Sequence, residues 1–197
     1  MPPKTHHTAV VAVPPPDVWE PIQAIRRQHD RHVQRWMPHI TLLYPFMPHA
    51  QFAEALPALT EAGRHIAPFQ VTLATFHAFT HAHGKATLWL EPKPRHALVA
   101  LQAALQAAFP AYDEQSRFAS GFTPHLSVGQ AASPTARQHL LSVLQAAWQP
   151  VQFTLTAIML IWREATGPFE VAYAIPLGSP SPSAFNRAES QGGTPCP

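Results

Sequence analysis

Two pentapeptides in this chain are nearly the same: Pro38-His39-Ile40-Thr41-Leu42 and Pro124-His125-Leu126-Ser127-Val128, at an offset of 86 residues (39 to 125). Adding that offset carries an apolar helical stretch at 51–61 onto 137–147, a β-rich run at 69–76 onto 155–162, and another at 86–91 onto 172–177. Each landing point carries the same kind of pattern, so the chain reads as an internal repeat. A repeat of this length restricts the fold to two similar halves related by a pseudo-twofold axis.

The elements follow from periodicity and punctuation. Thr8–Val13 is an apolar β-rich run closed by Pro14-Pro15-Pro16, and Asp17 stands as a helix cap before Val18, Ile22 and Ile25. His39–Tyr44 reads as a strand, Gln51–Glu61 as a helix, and Phe69–Phe76 with Ala86–Glu91 as two strands joined around His83-Gly84. Arg95–Phe109 places Leu98, Leu101, Leu105 and Phe109 on one helical stripe. His125–Gly129 is a short strand, and Ser133-Pro134 caps and starts a helix bearing Leu140, Leu141, Leu144 and Trp148. Val151–Trp162 and Phe169–Pro176 read as a hairpin turning near Gly167-Pro168. The expected fold is α+β and bilobal. Helix, strand, helix, strand, strand is followed by the same five elements, with antiparallel sheets around a central cleft.

One domain is expected over residues 1–177. From Gly178 onward the chain reads GSPSPSAFNRAESQGGTPCP, with almost nothing to bury, and 178–197 is expected to be a disordered tail. Charged residues make up only 12% and net charge is +2, with no basic run among the 13 Lys and Arg. An extended nucleic-acid surface that neutralises many phosphates is therefore not expected. The single cysteine, Cys196, excludes a disulfide framework and a Cys-based metal site. The short run Ala9–Val13 is too brief for a signal sequence and no stretch approaches a membrane span. A cytoplasmic monomer with no membrane association is the expectation.

The two pentapeptides also carry the chemistry. Residues i and i+2 of a strand share a face, so His39 projects with Thr41, and His125 with Ser127, while Ile40, Leu42, Leu126 and Val128 face the core. Two such strands about a pseudo-twofold axis set two imidazoles and two hydroxyls around one cavity. That suits a tetrahedral phosphate attacked in line, one histidine serving as base and the other as acid. With 13 histidines, composition alone gives about 0.2 chance copies of His-aliphatic-(Ser/Thr)-aliphatic. Two copies, both preceded by proline and both in register with the repeat, are a specific signal. The bland alternative is a pair of hydrogen-bonded histidines at the edge of the core.

These residues resemble the paired H-x-[ST]-hydrophobic motifs of the two-histidine (2H) phosphoesterase superfamily, and within it the 2′-5′ RNA ligase-like proteins. The resemblance runs from Thr8 to about Pro176. It implies a bilobal α+β fold with an antiparallel sheet in each lobe, and cleavage, or less commonly formation, of phosphodiesters at RNA ends or in small nucleotides without metal. By the same resemblance His39 and His125 are the acid/base pair, and Thr41 and Ser127 the donors to phosphate oxygens. Related RNA-end enzymes often carry a basic residue soon after the second motif. Here Gly129-Gln130 follows, which leaves a smaller or less charged phosphodiester open.

Around the motifs, Trp36, Tyr44 and Phe122 are candidates for stacking on a base, a contact worth roughly 1–3 kcal/mol, or else members of core and rim. Arg35 and Arg163 are candidate phosphate partners, since Arg can bind oxygens bidentately, or else solvent-exposed. His29, His32 and His39, and His81 with His83, have metal-site appearance, but no cysteine and few carboxylates accompany them. A solvated helix end and a hairpin turn explain them, and no metal or cofactor is expected. The expected function is a metal-independent phosphoesterase acting on a cyclic or 2′-5′-linked phosphodiester, with a nucleotide or RNA end as substrate. The alternatives are a non-catalytic nucleotide or RNA-end binding module, separated by turnover, and a His-rich metal-dependent hydrolase, separated by activity in chelator.

Overall fold

The structure is a computed structural model and describes residues 3–115, 117 and 121–178. The expected tail lies outside the described residues except for Gly178, and Cys196 lies outside them too. In chain order the elements are β1 (Thr8–Ala12), α1 (Trp19–His29), β2 (Ile40–Leu43), α2 (Phe52–Arg64), β3 (Phe69–Thr80), β4 (Ala86–Lys93), α3 (Arg95–Ala108), β5 (Leu126–Ala131), α4 (Pro134–Ala147), β6 (Val151–Leu155), β7 (Ala157–Trp162) and β8 (Glu170–Pro176).

The strands form one antiparallel array in the order β6-β3-β4-β5-β2-β1-β7-β8. It divides into two four-stranded halves that meet between β5 and β2, where Ile40 and Leu126 form the register pair. Each half therefore contributes one motif strand to the seam. The halves also exchange elements. β3 pairs with β4, beside the second motif strand, while β7 pairs with β1, beside the first. By position in the sheet, β4 has its counterpart in β1, and β8 at one edge has its counterpart in β6 at the other.

The expected strand Val151–Trp162 is two strands broken at Thr156. β6 joins β3 at one edge, whereas β7 lies between β1 and β8 near the other. The burial pattern shows why: Val151, Phe153 and Leu155 point inward, then the parity changes and Ile158 and Leu160 do so. A period-2 pattern that changes phase cannot keep one face of a single straight strand in the core.

Most of the core lies between one face of the sheet and the helices, built on Leu42, Leu59, Leu73, Leu88, Leu98 and Leu126. Leu98, Leu101 and Leu105 of α3 are fully buried, which at roughly 1.5–3 kcal/mol per side chain anchors that helix. Ser133 caps α4 by accepting from the Ala136 amide at 3.2 Å, and Trp148 just beyond the helix donates to the Leu73 carbonyl at 2.8 Å. β1 is buried on both sides: Val10 and Ala12 belong to the main core, while Ala9 and Val11 form a second cluster with Ile161 and Phe169. Trp36, Met37 and Tyr44 pack on this second cluster, which floors the first motif's side of the cleft. Among the described residues no helix is long and apolar enough to cross a membrane.

Candidate active site

Leu42, Leu126 and Val128 fill the core while His39, Thr41, His125 and Ser127 are half-buried on the other face, as the strand alternation requires. The antiparallel register set by Ile40 and Leu126 puts His39 opposite Ser127 and Thr41 opposite His125. Sequence spacing groups each histidine with the hydroxyl of its own motif. The sheet adds a second grouping, across the motifs, so that four side chains share one patch of the seam.

Both imidazoles are held in the same way. His39 Nδ1 lies 2.7 Å from the Met37 carbonyl oxygen, and His125 Nδ1 lies 2.8 Å from that of Thr123. A carbonyl only accepts, so each Nδ1 carries the hydrogen and each Nε2 keeps its lone pair for other partners. The proline before each histidine is buried, and the residue before that proline supplies the anchoring carbonyl.

Burial draws the His39 pKa down to about 4, the nearby Arg26 and His125 acting in the same direction and the Met37 hydrogen bond and Asp30 opposing. Burial also lowers the pKa of His125, against its bond to Thr123. Both rings are therefore neutral at pH 7 in the unliganded protein. Bound anionic phosphate would favour the protonated form of either.

Aromatic rings brace each histidine. Trp36 stacks on His39 with centroids 4.4 Å apart, and lies itself on Phe169 at 3.8 Å with the edge of Tyr44 at 5.5 Å. On the other side Phe79 meets the His125 ring edge-on at 4.9 Å and Trp89 at 5.9 Å, the two being stacked on each other at 4.8 Å.

A cavity of about 240 Å³ is lined by His39, Ser127, Trp36, Thr87, Arg26, Asp30, Arg31, His32 and Gln130. Its back is a buried ion pair. Arg26 Nε and Nη2 each lie 2.9 Å from Asp30 Oδ2, with both side chains at most 3% exposed. Asp30 Oδ1 accepts from the His32 amide at 2.9 Å and from Gln130 Nε2 at 3.1 Å. Burial opposes ionisation of Asp30, yet these bonds and the Arg26 guanidinium hold its carboxyl below the usual range. Gln130 reaches this network because β5 bulges. Trp89 pairs with Ser127 but Leu88 pairs with Gly129, so Gln130 pairs with Thr87 and returns to the side of Ser127. Gly129 is needed where α1 crosses β5: a Cβ there would lie 2.6 Å from His29 Cβ and 3.0 Å from the His29 carbonyl oxygen.

The other sequence candidates are distributed unevenly. Trp36 stacks on His39 and Tyr44 stands behind it, edge-on to Trp36, whereas Phe122 is 7% exposed within the main core, so it belongs to packing and not to the cleft. Arg163 donates to the carbonyls of Glu164 and Ala165 at 3.0 and 2.7 Å and lies over the Phe169 ring, which ties its guanidinium to its own turn. Arg35 is exposed, and its carbonyl accepts from the Phe169 amide at 2.8 Å. Among the described residues no three His, Cys, Asp or Glu side chains gather as a metal-binding group, the sets at 29, 32 and 39 and at 81 and 83 included. Sequence reasoning missed Arg26, Asp30, Gln130, Phe79 and Trp89. For Arg26 and Asp30 a signal existed: both continue the helical stripe of Ile22 at steps of four, where a charge calls for a buried partner.

The model of the 2′-5′ RNA ligase superfamily matches residues 14–167. No curated protein sequence is significantly similar to the chain. Among solved structures, TT0787 of Thermus thermophilus superposes with a TM-score of 0.60 at 17% identity, covering 87% of this chain and 97% of its own. Apo E. coli LigT gives 0.58 at 18% identity, with 90% and 100% covered. LigT complexed with 3′-AMP gives 0.56 at 20% identity, with 86% and 98% covered. At these identities the likeness is one of fold.

Proposed function

The chain belongs to the 2′-5′ RNA ligase superfamily, and from that premise we propose that it is a metal-independent phosphoesterase acting on a cyclic or 2′-5′-linked phosphodiester of a nucleotide or RNA end. The observation that carries this reading is the quartet of His39, Thr41, His125 and Ser127 on one face of the β2–β5 seam, with both Nδ1 atoms fixed on backbone carbonyls. E. coli LigT, of the same fold, is known complexed with phosphate, 3′-AMP, ATP and NADP+, which supports a nucleotide as the ligand class of this chain.

For a 2′,3′-cyclic phosphate the steps balance with two imidazoles. Neutral Nε2 of one histidine takes a proton from water as the water oxygen bonds to phosphorus. The bond from phosphorus to one ribose oxygen breaks, and that oxygen receives a proton from Nε2 of the other histidine, leaving a phosphomonoester. Thr41 and Ser127 donate to the nonbridging oxygens as charge gathers on them. The orientation of the substrate decides which histidine is acid and which base. The Nδ1 anchors hold both rings in the required tautomer, so neither must turn during the reaction.

The test is turnover of 2′,3′-cyclic mononucleotides, 2′-5′-linked dinucleotides and RNA 3′ ends in excess EDTA. Phosphomonoester or cleaved product, unaffected by chelation and lost in His39→Ala and His125→Ala, is the expected result. Activity that chelation abolishes and one divalent ion restores would replace this reading with a metal-dependent one. Binding of 3′-AMP without turnover of any of the three would make the protein a binding module.

A further inference from the structure

The two histidines are braced from different kinds of structure. Phe79 and Trp89, which meet the His125 ring, stand on β3 and β4, and the pairing of those strands fixes them within the sheet, Phe79 opposite Thr87 and Trp89 opposite His77. Trp36, which stacks on His39, belongs instead to the segment between α1 and β2, outside any helix or strand. A ring carried by a connecting segment keeps its place only where that segment is held from elsewhere.

The segment is held at both ends. Towards β2, the Phe169 amide donates to the Arg35 carbonyl at 2.8 Å and Trp36 lies on the Phe169 ring. Towards α1, Asp30 organises a tight turn: the His32 amide donates to its Oδ1 at 2.9 Å and the Val33 amide to its carbonyl at 3.1 Å. The Arg35 and Trp36 amides then donate to the His32 carbonyl at 2.9 and 3.1 Å, so hydrogen bonds run from Asp30 through to Trp36.

This turn is clamped from the second motif's strand. Gln130 of β5 donates from Nε2 to Asp30 Oδ1 at 3.1 Å and accepts the Arg31 amide on Oε1 at 3.1 Å, so one side-chain amide grips two consecutive residues of the turn. Arg26 occupies Oδ2 of the same carboxylate and leaves Oδ1 to His32 and Gln130. Asp30, His32, Trp36 and Gln130 line one cavity together with His39 and Ser127. The bond from His39 Nδ1 to the Met37 carbonyl fixes one edge of the imidazole but leaves the ring free to tilt about it, and the stacked indole is what fixes the tilt.

Resting on the phosphoesterase reading above, we propose that Gln130 and Asp30 are positioning residues for His39: they hold the turn that carries Trp36, and through its ring they set the plane in which His39 presents Nε2 to the substrate. β5 thereby places both imidazoles, His125 directly and His39 through Gln130, Asp30 and Trp36.

The test combines Gln130→Met, Trp36→Leu and the double variant. Met keeps the length of the side chain and removes both hydrogen bonds, and Gln130 is only half-buried, so the variant should fold. In NMR spectra of the unliganded full chain the His39 ring protons of the wild type should be displaced by the stacked indole. Gln130→Met should move them most of the way to their positions in Trp36→Leu, with the His125 ring protons unmoved. Turnover of a 2′,3′-cyclic mononucleotide by Gln130→Met should fall about tenfold in kcat, with KM within about threefold of wild type. If Gln130 acts through Trp36, adding Gln130→Met to Trp36→Leu should cost less than about a further twofold. His39 signals that stay in place in Gln130→Met, or costs that simply multiply in the double variant, would overturn the positioning role while leaving the phosphoesterase reading standing. A wild-type protein that turns over no phosphodiester would overturn the phosphoesterase reading alone, because the His39 shifts are read without substrate and still decide whether Gln130 sets the ring.

Discussion

His39 and Ser127 stand opposite each other across the β2–β5 seam, although they belong to motifs 86 residues apart in the chain (39 to 125). Directly opposed residues of an antiparallel pair have Cβ atoms about 4.5–5.5 Å apart, closer than residues two apart on one strand. Each imidazole therefore has a hydroxyl of the other half as its cross-strand neighbour, and neither half contains a complete site.

Complementary proton transfers make both histidines indispensable. His39→Ala and His125→Ala should each lower kcat by roughly 10²–10⁴ with circular dichroism unchanged. Ser127→Ala and Thr41→Ala should be milder, about tenfold, because water can replace a hydroxyl donor in part. Hydroxyl variants as damaged as the histidine variants would move the chemistry onto the hydroxyls.

The pH profile should reflect the lowered histidine pKa values. One ring must be neutral and one protonated, so kcat/KM follows a bell between two apparent values that belong to the pair. Burial lowers both histidines, His39 to about 4, so the kcat/KM maximum should lie on the acid side of pH 6.5. Bound phosphodiester favours protonation, so the kcat optimum should lie above that for kcat/KM. Initial rates from pH 4 to 9 decide; a kcat/KM maximum above pH 7.5 would contradict the burial argument.

The same burial links His39 to stability. Its pKa is lower in the folded chain, so its contribution is fully present above about pH 6.5 and is lost as pH falls toward about 4, where the unfolded chain takes up a proton that the folded chain refuses. Urea unfolding at pH 7.5 and 4.5 should show a loss of at most about 3 kcal/mol from this source. In His39→Gln the difference between the two pH values should shrink accordingly. An unchanged difference would mean that other groups govern the acid sensitivity.

At Gly129 the close approach of α1 leaves no room for a side chain. Gly129→Ala should push the His29 turn away from β5, costing about 1–3 kcal/mol in stability. It should also reduce activity, since that turn leads into Asp30 and its bond to Gln130. Denaturant midpoint and kcat measured together test this, and a variant unchanged in both would show that α1 adjusts freely.

What the sequence determined by itself is local. Period-2 alternation placed His39, Thr41, His125 and Ser127 on the polar side of two strands, and cap chemistry located the start of α4 at Ser133-Pro134. The repeat implied a two-halved α+β fold because both halves repeat the same local preferences. Only the tertiary structure decided which strands meet, since pairing energy joins residues far apart in sequence and periodicity carries no address for a partner. Hence the division of 151–162 at Thr156 between opposite sides of the sheet, and the cross-motif pairing of His39 with Ser127. Likewise Arg26 showed as a charge on an apolar stripe, but its burial with Asp30 beside Gln130 required α1 to settle against Gly129 of β5, and Phe122 lies with the core although it stands three residues from His125.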